Sequence, residues 1–235
     1  MQRKSLSYCL LIGFLGFIAC KNTIRDCECV APPETGMSYF YTSIKQFTTY
    51  EVQEIEYYIT QEPTIKNYQI KELVATFFTD LDRQESLRIE RYRRNNDKEI
   101  WQIEAVFTAK KRGNEALKTE NNQTFVKFVF PLSENQTWNG NAYNALGKDD
   151  YTVKNLHQAF SIDNKVFPKT VTIVQQNDST LVDLNKRMEV YAEGIGLIYA
   201  ENKSITYCSK ADCIGKNKID FGKSIRMKIK DYGTE

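Results

Sequence analysis

Hydrophobic and polar residues alternate along most of this chain with the period of two that an extended strand produces. From Trp101 to Ala109 every second residue is apolar, and the residues between them are mostly polar. One face of this segment is therefore predicted to lie in a core and the other in water.

Similar segments, rich in β-branched and aromatic residues and bounded by Asn, Asp and Gly, recur about ten times. They lie near residues 50–60, 68–79, 86–94, 99–110, 124–130, 151–160, 169–175, 181–192, 196–207 and 218–230. No comparable stretch predicts a long helix. Parallel strands need long crossover connections, usually helical, so the chain is predicted to be all-β and antiparallel.

Two features bear on the shape of the sheet. The segment FVKFVF, residues 125–130, is apolar on both faces, which predicts a central strand. Gly194 and Gly196 interrupt a strand pattern, and glycines there often mark a bulge or a sharp bend. A sandwich, a closed barrel and a curved sheet or half-barrel of about ten strands all fit, and the glycines favour the curved sheet.

The first twenty residues have the residue pattern of a targeting segment. Arg3 and Lys4 precede an apolar run that ends at Cys20, and the run is shorter than the about 20 residues of a membrane-spanning helix. The quartet Phe17-Ile18-Ala19-Cys20 resembles a bacterial lipobox, although leucine is usual where Phe17 stands. We predict cleavage after residue 19 and acylation of Cys20; the alternative is a plain signal peptide with a structural Cys20.

The mature chain is predicted to begin with a flexible tether. Residues 20–36 lack strand or helix periodicity and include Pro32 and Pro33. Residues 37–235 are long enough for one real core, so a single antiparallel β domain is predicted.

Charge gives little support for a nucleic-acid partner. Removing Arg3 and Lys4 from 32 basic residues leaves 30, which equals the 30 acidic residues. The basic run from Arg88 to Arg94 is interleaved with acidic residues, so we interpret it as an exposed sheet edge protected by charge.

Four cysteines remain once Cys9 leaves with the leader and Cys20 is acylated. An even number suits an oxidising compartment. Cys208 and Cys213 flank the loop-like spacer SKAD and are predicted to form a disulfide. Cys27 and Cys29 could form a strained redox pair, bridge to the Cys208 loop or stay idle, and the sequence leaves their pairing open.

Catalytic motifs are weak. Gly222-Lys223-Ser224 lacks the glycine that opens a phosphate-binding loop, and His157 is the only histidine, which disfavours a zinc site. Glu54 and Glu56 would share a strand face at a glycosidase-like spacing, although a solvated face explains them equally well. No catalytic residue, metal or cofactor is predicted.

The connection from Glu134 to Asp150 is long for a hairpin and rich in Asn and Gly. Aromatic faces beside amides suit a sugar or peptide, which makes Trp138, Asn139, Asn141 and Tyr143 candidate ligand-binding residues. The alternative, which we favour, is that Trp138 fills the end of the core while its neighbours turn the chain.

Several segments of the chain resemble uncharacterised Bacteroidota lipoproteins of the Cytophagales type. They read YQIKE at 68–72, RIERYRR at 88–94, FPLSENQTWNGNAYN at 130–144 and YAEGIGLIY at 191–199. The resemblance covers most of the mature chain and implies a lipid-anchored envelope protein, but it implies no activity because none is established for that family. Where such proteins often read YFPLxxGxxWxYEV, residues 39–52 read YFYTSIKQFTTYEV, so any role of that motif does not carry over.

The sequence thus predicts an outer-membrane lipoprotein whose β domain binds or scaffolds without catalysis. Its partners would be the bilayer, through acylated Cys20, and an envelope protein or glycan. A carrier that holds a lipid or apolar ligand on the concave side of a curved sheet is the alternative, and a hydrolase is the third candidate. An apolar cavity would favour the carrier, a filled core the scaffold, and a cleft with two carboxylates the enzyme.

Overall fold

The computed structural model describes residues 35–41 and 43–235, which belong to one compact unit. The predicted leader 1–19, the acylation site Cys20, the cysteines Cys27 and Cys29 and most of the predicted tether lie outside the described residues. Within the described ranges, no helix has the length and apolarity needed to cross a membrane.

The described chain is all-β and antiparallel, with a single turn of 3₁₀ helix at Met37–Tyr39. Twelve strands follow in chain order: β1 Gln46–Tyr57, β2 Thr64–Thr79, β3 Glu85–Arg94, β4 Gln102–Arg112, β5 Glu115–Glu120, β6 Gln123–Val129, β7 Thr137–Asn139, β8 Asp150–Ile162, β9 Lys165–Ser179, β10 Asp183–Ala192, β11 Gly196–Tyr207 and β12 Ile219–Thr234.

All twelve strands form one curved sheet that nearly closes on itself. Strands adjacent in sequence pair with each other, except β6 and β7, and the first strand pairs with the last. The strands β6 and β7 therefore end the sheet. They meet where Val126 N donates to Gly140 O at 2.8 Å and Trp138 Nε1 donates to Val126 O at 2.8 Å. The result is an almost continuous ring of strands.

The estimate of about ten strands was too low because it lacked β5 and β7. The strand β5 reads EALKTE, in which Thr119 is the one β-branched residue and none is aromatic, and β7 has only three residues. Asn121 and Asn122 join β5 to β6 with φ of 49° and 62°, the left-handed conformation that a two-residue hairpin turn needs.

The prediction that residues 125–130 form a central strand was wrong, because β6 lies at an end of the sheet. Its two faces are covered all the same. Phe128 packs edge-on against Tyr191 of β10 with ring centroids 4.7 Å apart, and the Trp138 side chain reaches the β6 backbone. Both faces of β6 are thus buried by packing across the interior of the ring rather than by a central position in the sheet.

The alternating pattern of β4 predicted its buried face only in part. Phe107 and Ala109 are buried, whereas Ile103, assigned to the same face, is 59% exposed. The pairing of β4 with β3 shifts register between Ile103 and Ala105, and such a shift places the side chains before and after it on opposite faces.

The interpretation of Arg88 to Arg94 as an exposed edge was also wrong. These residues form β3, which pairs with β2 on one side and β4 on the other. Arg91 points into the ring, where it meets Glu72 of β2.

Gly194 and Gly196 build the β10–β11 hairpin turn, with φ of 73° and 95°, rather than a bend within a strand. These positive values are ones that glycine adopts without strain. Gly194 N donates to Ser38 O at 2.8 Å, which ties this turn to the N-terminal segment.

The N-terminal segment covers one end of the ring. Tyr39 and Phe40 are fully or almost fully buried in an apolar cluster that includes side chains from β2 through β10. Thr35 and Gly36, assigned to the tether, already contact Leu132, since Leu132 N donates to Thr35 O at 3.2 Å. A second apolar cluster gathers around Tyr50, Ile198 and Ile229.

The two ends of the ring of strands differ in the connections that they carry. The N-terminal end is where the described chain enters, and it carries the β2–β3, β4–β5, β6–β7, β8–β9 and β10–β11 connections. The opposite end carries the β1–β2, β3–β4, β5–β6, β7–β8, β9–β10 and β11–β12 connections.

Candidate binding site

The long β7–β8 connection holds its own polar groups. Trp138 is only 9% exposed, and its indole nitrogen donates to a backbone carbonyl. Asn139 Oδ1 accepts from the backbone nitrogens of Asn141 and Asp149 at 3.1 and 3.0 Å. Asn141 is buried as well. Three of the four candidate residues, Trp138, Asn139 and Asn141, therefore stabilise the loop itself.

Tyr143 is the exposed member of the quartet. Its hydroxyl donates to Glu115 at 2.9 Å, and the Arg112 guanidinium stacks 4.1 Å from its ring centroid. The aromatic face that a sugar would use is thus already covered by a side chain of this protein.

Cys208 and Cys213 form a disulfide with Cα atoms 5.8 Å apart. Both side chains are buried, and the bond closes the connection between β11 and β12. This places the pair in a structural position, away from the ring interior.

The residues considered for catalysis are engaged in structural contacts. His157 has a φ of 60° at an irregular point of β8, and its Nδ1 lies 2.8 Å from the Tyr39 hydroxyl. Lys223, of the sequence Gly-Lys-Ser, lies in β12 and donates to Glu54 at 2.9 Å. That hydrogen bond lowers the pKa of Glu54, although a glycosidase acid needs a raised one.

A buried charged cluster crosses the middle of the ring. Glu72 of β2 accepts from Arg91 of β3 at 2.5 Å, from Lys118 of β5 at 3.2 Å and from the Tyr41 hydroxyl at 2.8 Å. Its carboxylate is almost completely buried. Burial alone would raise the pKa of Glu72, but the Lys118 and Arg91 charges outweigh it and hold that pKa far below its usual range.

The cluster continues toward the far wall of the ring. Lys118 also binds Glu120 at 2.7 Å, while Lys127 of β6 binds Glu189 of β10 at 2.7 Å. Tyr191 donates to the same Glu189 at 2.6 Å. Paired in this way, the charges pin the β5–β6 hairpin across the concave side of the sheet.

On the N-terminal side of this cluster lies an open cavity of about 530 Å³, which we call the N-terminal cavity. Its apolar wall comes from the N-terminal segment, β2, β3 and β4: Phe40, Tyr41, Phe77, Leu87 and Ala109. Its polar wall comes from the start of β3 and the end of β4: Gln84, Glu85, Ser86, Lys110 and Lys111.

Two features of the N-terminal cavity are unusual for a protein surface. Phe77 contributes an aromatic side chain that remains 44% exposed. Gln84 Oε1 is buried yet has no hydrogen-bond partner among the described residues. Buried polar atoms are nearly always hydrogen-bonded, so the unpaired acceptor marks incomplete packing of the side chains next to the exposed apolar surface of the cavity.

A second cavity, of about 290 Å³, lies on the other side of the charged cluster and is called the central cavity. Arg91 and Arg187 line it together with apolar side chains such as Met227. Both guanidinium groups are already paired, Arg91 with Glu72 and Arg187 with Asp149 at 2.6 Å. Glu72 therefore separates the two cavities, because its partner Tyr41 lines the first and its partner Arg91 lines the second.

The outer face of β1, β2 and β12 carries a polar groove of about 400 Å³, called the outer groove. Four amide side chains line it, those of Gln53, Asn67, Gln69 and Asn95. Arg226 also lines it, and its buried Nε has no hydrogen-bond partner among the described residues.

The described residues include no group of three or more His, Cys, Asp or Glu side chains arranged to hold a metal ion. Comparison of the chain with protein-family models, curated proteins and solved structures finds no match. The function of the site therefore rests on its own geometry.

Sequence reasoning did not single out Phe77, Gln84 or Glu72. A usable signal was present in FFTDLDRQ, residues 77–84, where adjacent aromatics on opposite faces of a strand run directly into a polar turn. An aromatic on each face at the end of a strand means that at least one of them leaves the core.

Proposed function

We propose that this protein is a lipid-anchored protein of the cell envelope that binds a small amphiphilic molecule in the N-terminal cavity without changing it chemically. The observation that carries the proposal is the pairing, in one concave site, of the exposed Phe77 ring with a polar wall that includes Lys110 and Lys111. An apolar wall with a few convergent polar groups is the usual composition of a small-molecule site.

The volume of the cavity limits the size of the ligand. A volume of about 530 Å³ lies within the range of roughly 300–1,000 Å³ typical of small-molecule sites. The aromatic and aliphatic wall would take the apolar part of the ligand, and the polar wall with Glu85, Lys110 and Lys111 would face its polar part. A carrier thus fits the site better than a pure scaffold does.

Catalysis has less support. Glu85, the carboxylate on the cavity wall, has no second carboxylate beside it in the lining, and the paired charges of the central cluster neutralise one another. Binding without chemistry is the function that these contacts favour.

Adjacent phenylalanines offer a matched test. Phe77 lines the N-terminal cavity, whereas Phe78 is similarly exposed at 39% but contributes to the outer face. We expect the fluorescent apolar probe N-phenyl-1-naphthylamine to bind saturably to a Cys20→Ala chain, which avoids detergent. Phe77→Ala should weaken this binding roughly tenfold, because about 50 Å² of apolar contact is worth a little over 1 kcal/mol.

Phe78→Ala serves as the control and should leave the affinity within about twofold, since its lost contact lies outside the cavity. Equal losses in both variants, or no saturable binding by the parent, would rule out the N-terminal cavity as the binding site.

The anchor is a separate part of the proposal. The lipobox-like quartet ending at Cys20 supports acylation, and the resemblance to envelope lipoproteins supports the outer membrane as the location. Cys20→Ala should move the protein from the membrane fraction to the soluble periplasmic fraction. Membrane retention of this variant would contradict the anchor while leaving the cavity proposal intact.

The outer groove favours a second candidate function, recognition of an acidic saccharide of the envelope. Four amides and the Arg226 side chain on the groove wall suit hydroxyl groups and one carboxylate. Glucuronic acid oligomers tested by calorimetry should bind the parent and lose most of their affinity for Arg226→Gln. Unchanged binding by that variant would exclude the groove.

A further inference from the structure

We propose that the tip of the β2–β3 hairpin, residues 77–81, dips into the lipid bilayer and holds the mouth of the N-terminal cavity against it. This inference rests on the proposed anchor and names the source of the ligand, a single-chain amphiphile taken directly from the membrane.

The hairpin tip is apolar on both faces. Phe77 faces the cavity, Phe78 faces outward, and Leu81 at the turn is completely exposed. Scattered exposed apolar residues are common on protein surfaces, but here they cluster within five positions of one hairpin. Aromatic and aliphatic side chains of this kind are those that enter the interfacial region of a bilayer.

The hairpin also projects beyond its neighbour. Strand β1 begins at Gln46, and Lys45 N donates to Val74 O, so β2 continues from residue 75 to Thr79 without β1 beside it. Five residues of strand span roughly 17 Å. The apolar tip is therefore the part of β2 that extends furthest past β1 at the N-terminal end.

The charges of the turn are arranged so that little net negative charge meets the lipid head groups. Asp80 accepts from two backbone nitrogens, from Ser86 and from Lys110 at 2.6 Å, and Asp82 binds the same Lys110 at 3.1 Å. Arg83, which is exposed at the turn, and Lys111, at the cavity mouth, add positive charge near the phosphates.

The point where the described chain begins is compatible with this orientation. Residues 20–34 provide fifteen positions between acylated Cys20 and the described chain, which can span at most about 54 Å. The described chain enters at the N-terminal end, and its residues Phe40 and Tyr41 share the cavity wall with Phe77. The described chain therefore begins at the same end of the sheet as the hairpin tip.

The cavity volume then limits what is taken from the membrane. A volume of about 530 Å³ corresponds to roughly 18 groups the size of a water molecule, or of a methylene. One acyl chain with a small polar head matches this volume, whereas a two-chain phospholipid exceeds it. Phe77 lies both at the tip and on the cavity wall, which gives such a chain a continuous apolar path.

Tryptophan substitution provides the test. The full acylated chain is reconstituted into phosphatidylcholine–phosphatidylglycerol vesicles, with and without lipid brominated near the head group, which quenches nearby indoles. Leu81→Trp is compared with Leu181→Trp, whose site in the β9–β10 connection is also exposed, at 70%, but lies at the opposite end.

We expect bromination to remove at least half of the emission that Leu81→Trp adds to the parent spectrum, with a blue-shifted maximum. The emission added by Leu181→Trp should be unquenched and red-shifted. Both sites are exposed, so melting temperatures of the two variants should match the parent, and circular dichroism checks this.

The outcomes separate the two proposals. If the parent co-floats with vesicles but Leu81→Trp is no more quenched than Leu181→Trp, the anchor stands and the hairpin proposal is overturned. If the acylated parent does not co-float, the anchor fails and the hairpin proposal fails with it. Equal quenching of both variants would also overturn it, because the sheet would then lie in another orientation.

Discussion

Two nitrogens of Arg91, Nε and Nη2, donate to one carboxylate oxygen of Glu72 at 3.1 and 2.5 Å inside the ring of strands. Lys118 contacts both oxygens of the same carboxylate, and the Tyr41 hydroxyl donates to the other one. A buried ion with this many partners costs little while the cluster is complete, and a great deal when one member is removed.

Glu72→Gln should therefore destabilise the protein strongly. The substitution keeps the shape of the side chain but leaves Arg91 and Lys118 without their shared counter-charge in the interior. We expect a loss of about 3–5 kcal/mol in the free energy of unfolding. Chemical denaturation followed by circular dichroism measures it.

Glu54→Gln is the matched control. Its partners Lys223 and Lys66 are about half exposed, so the loss should be below about 1 kcal/mol. Similar losses in both variants would show that the buried cluster contributes no more than a surface ion pair.

The same carboxylate predicts the acid sensitivity of the fold. The pKa of Glu72 is held far below its usual value in the folded protein by Lys118 and Arg91, against the opposing effect of burial. Its stabilising contribution is therefore complete above its unfolded pKa of about 4.3 and is lost as the pH falls toward the folded value. Between about pH 5 and pH 3 the unfolded chain takes up a proton that the folded chain does not.

In Glu72→Gln this proton is absent, so stability should fall less steeply with acidification than in the parent. The difference in slope approaches about 1.4 kcal/mol per pH unit below pH 4. Parallel stability curves for parent and variant over this pH range would contradict the assignment.

Gln84 gives a prediction of the opposite sign. Its buried Oε1 lacks a partner, while its backbone nitrogen and oxygen bond to Asp80 independently of the side chain. Gln84→Met removes the unpaired acceptor and should stabilise the ligand-free protein by about 1 kcal/mol. A destabilised variant would indicate that a water or a ligand normally satisfies this atom. A melting curve of protein stripped of bound molecules would distinguish the ligand from the water.

The sequence predicted the fold class because each strand carries its own signal. Alternation and turn residues are local, so β8, β10, β11 and β12 could be placed with nearly correct limits, whereas β9 extends four residues beyond the predicted 169–175 at each end. The order of strands around the ring was not predictable in the same way, because β1 meets β12 through contacts separated by almost the whole chain. Neither the position of β6 at the end of the sheet nor the burial of Arg91 follows from local pattern.

The candidate site was less predictable still. Glu72 and Lys118 have an ordinary charged appearance in sequence, and both become buried only because β2 and β5 face each other inside the ring. In the sequence Phe77 does not differ from the other aromatic residues of predicted strands. It is exposed because β2 extends beyond the start of β1. By contrast, Trp138 and its asparagines attracted attention because of composition, although their partners lie within the same loop.

The disulfide between Cys208 and Cys213 closes a short loop, five positions apart in sequence. Restricting a loop of this length in the unfolded chain should contribute about 2 kcal/mol to stability. Cys208→Ser with Cys213→Ser should lower the free energy of unfolding by that amount. Mass spectrometry after alkylation, on protein purified without reductant, should find both thiols protected; two alkylated thiols would refute the bond in the isolated protein.

Trp138 tests whether the β7–β8 connection serves the fold or a ligand. The indole is buried, contacts the Tyr151 ring edge-on at a centroid distance of 6.2 Å, and donates to Val126 O where the two ends of the sheet meet. Trp138→Ala would empty this space and leave a carbonyl unpaired, so it should cost about 3–5 kcal/mol. Trp138→Phe should cost less, since it keeps most of the apolar contact and loses only the hydrogen bond. Tyr143→Ala in the same connection removes an exposed ring and should change stability by less than about 1 kcal/mol. If Trp138→Ala melts within a degree or two of the parent, the indole does not hold the ends of the sheet together, and a ligand-binding role for this loop regains support.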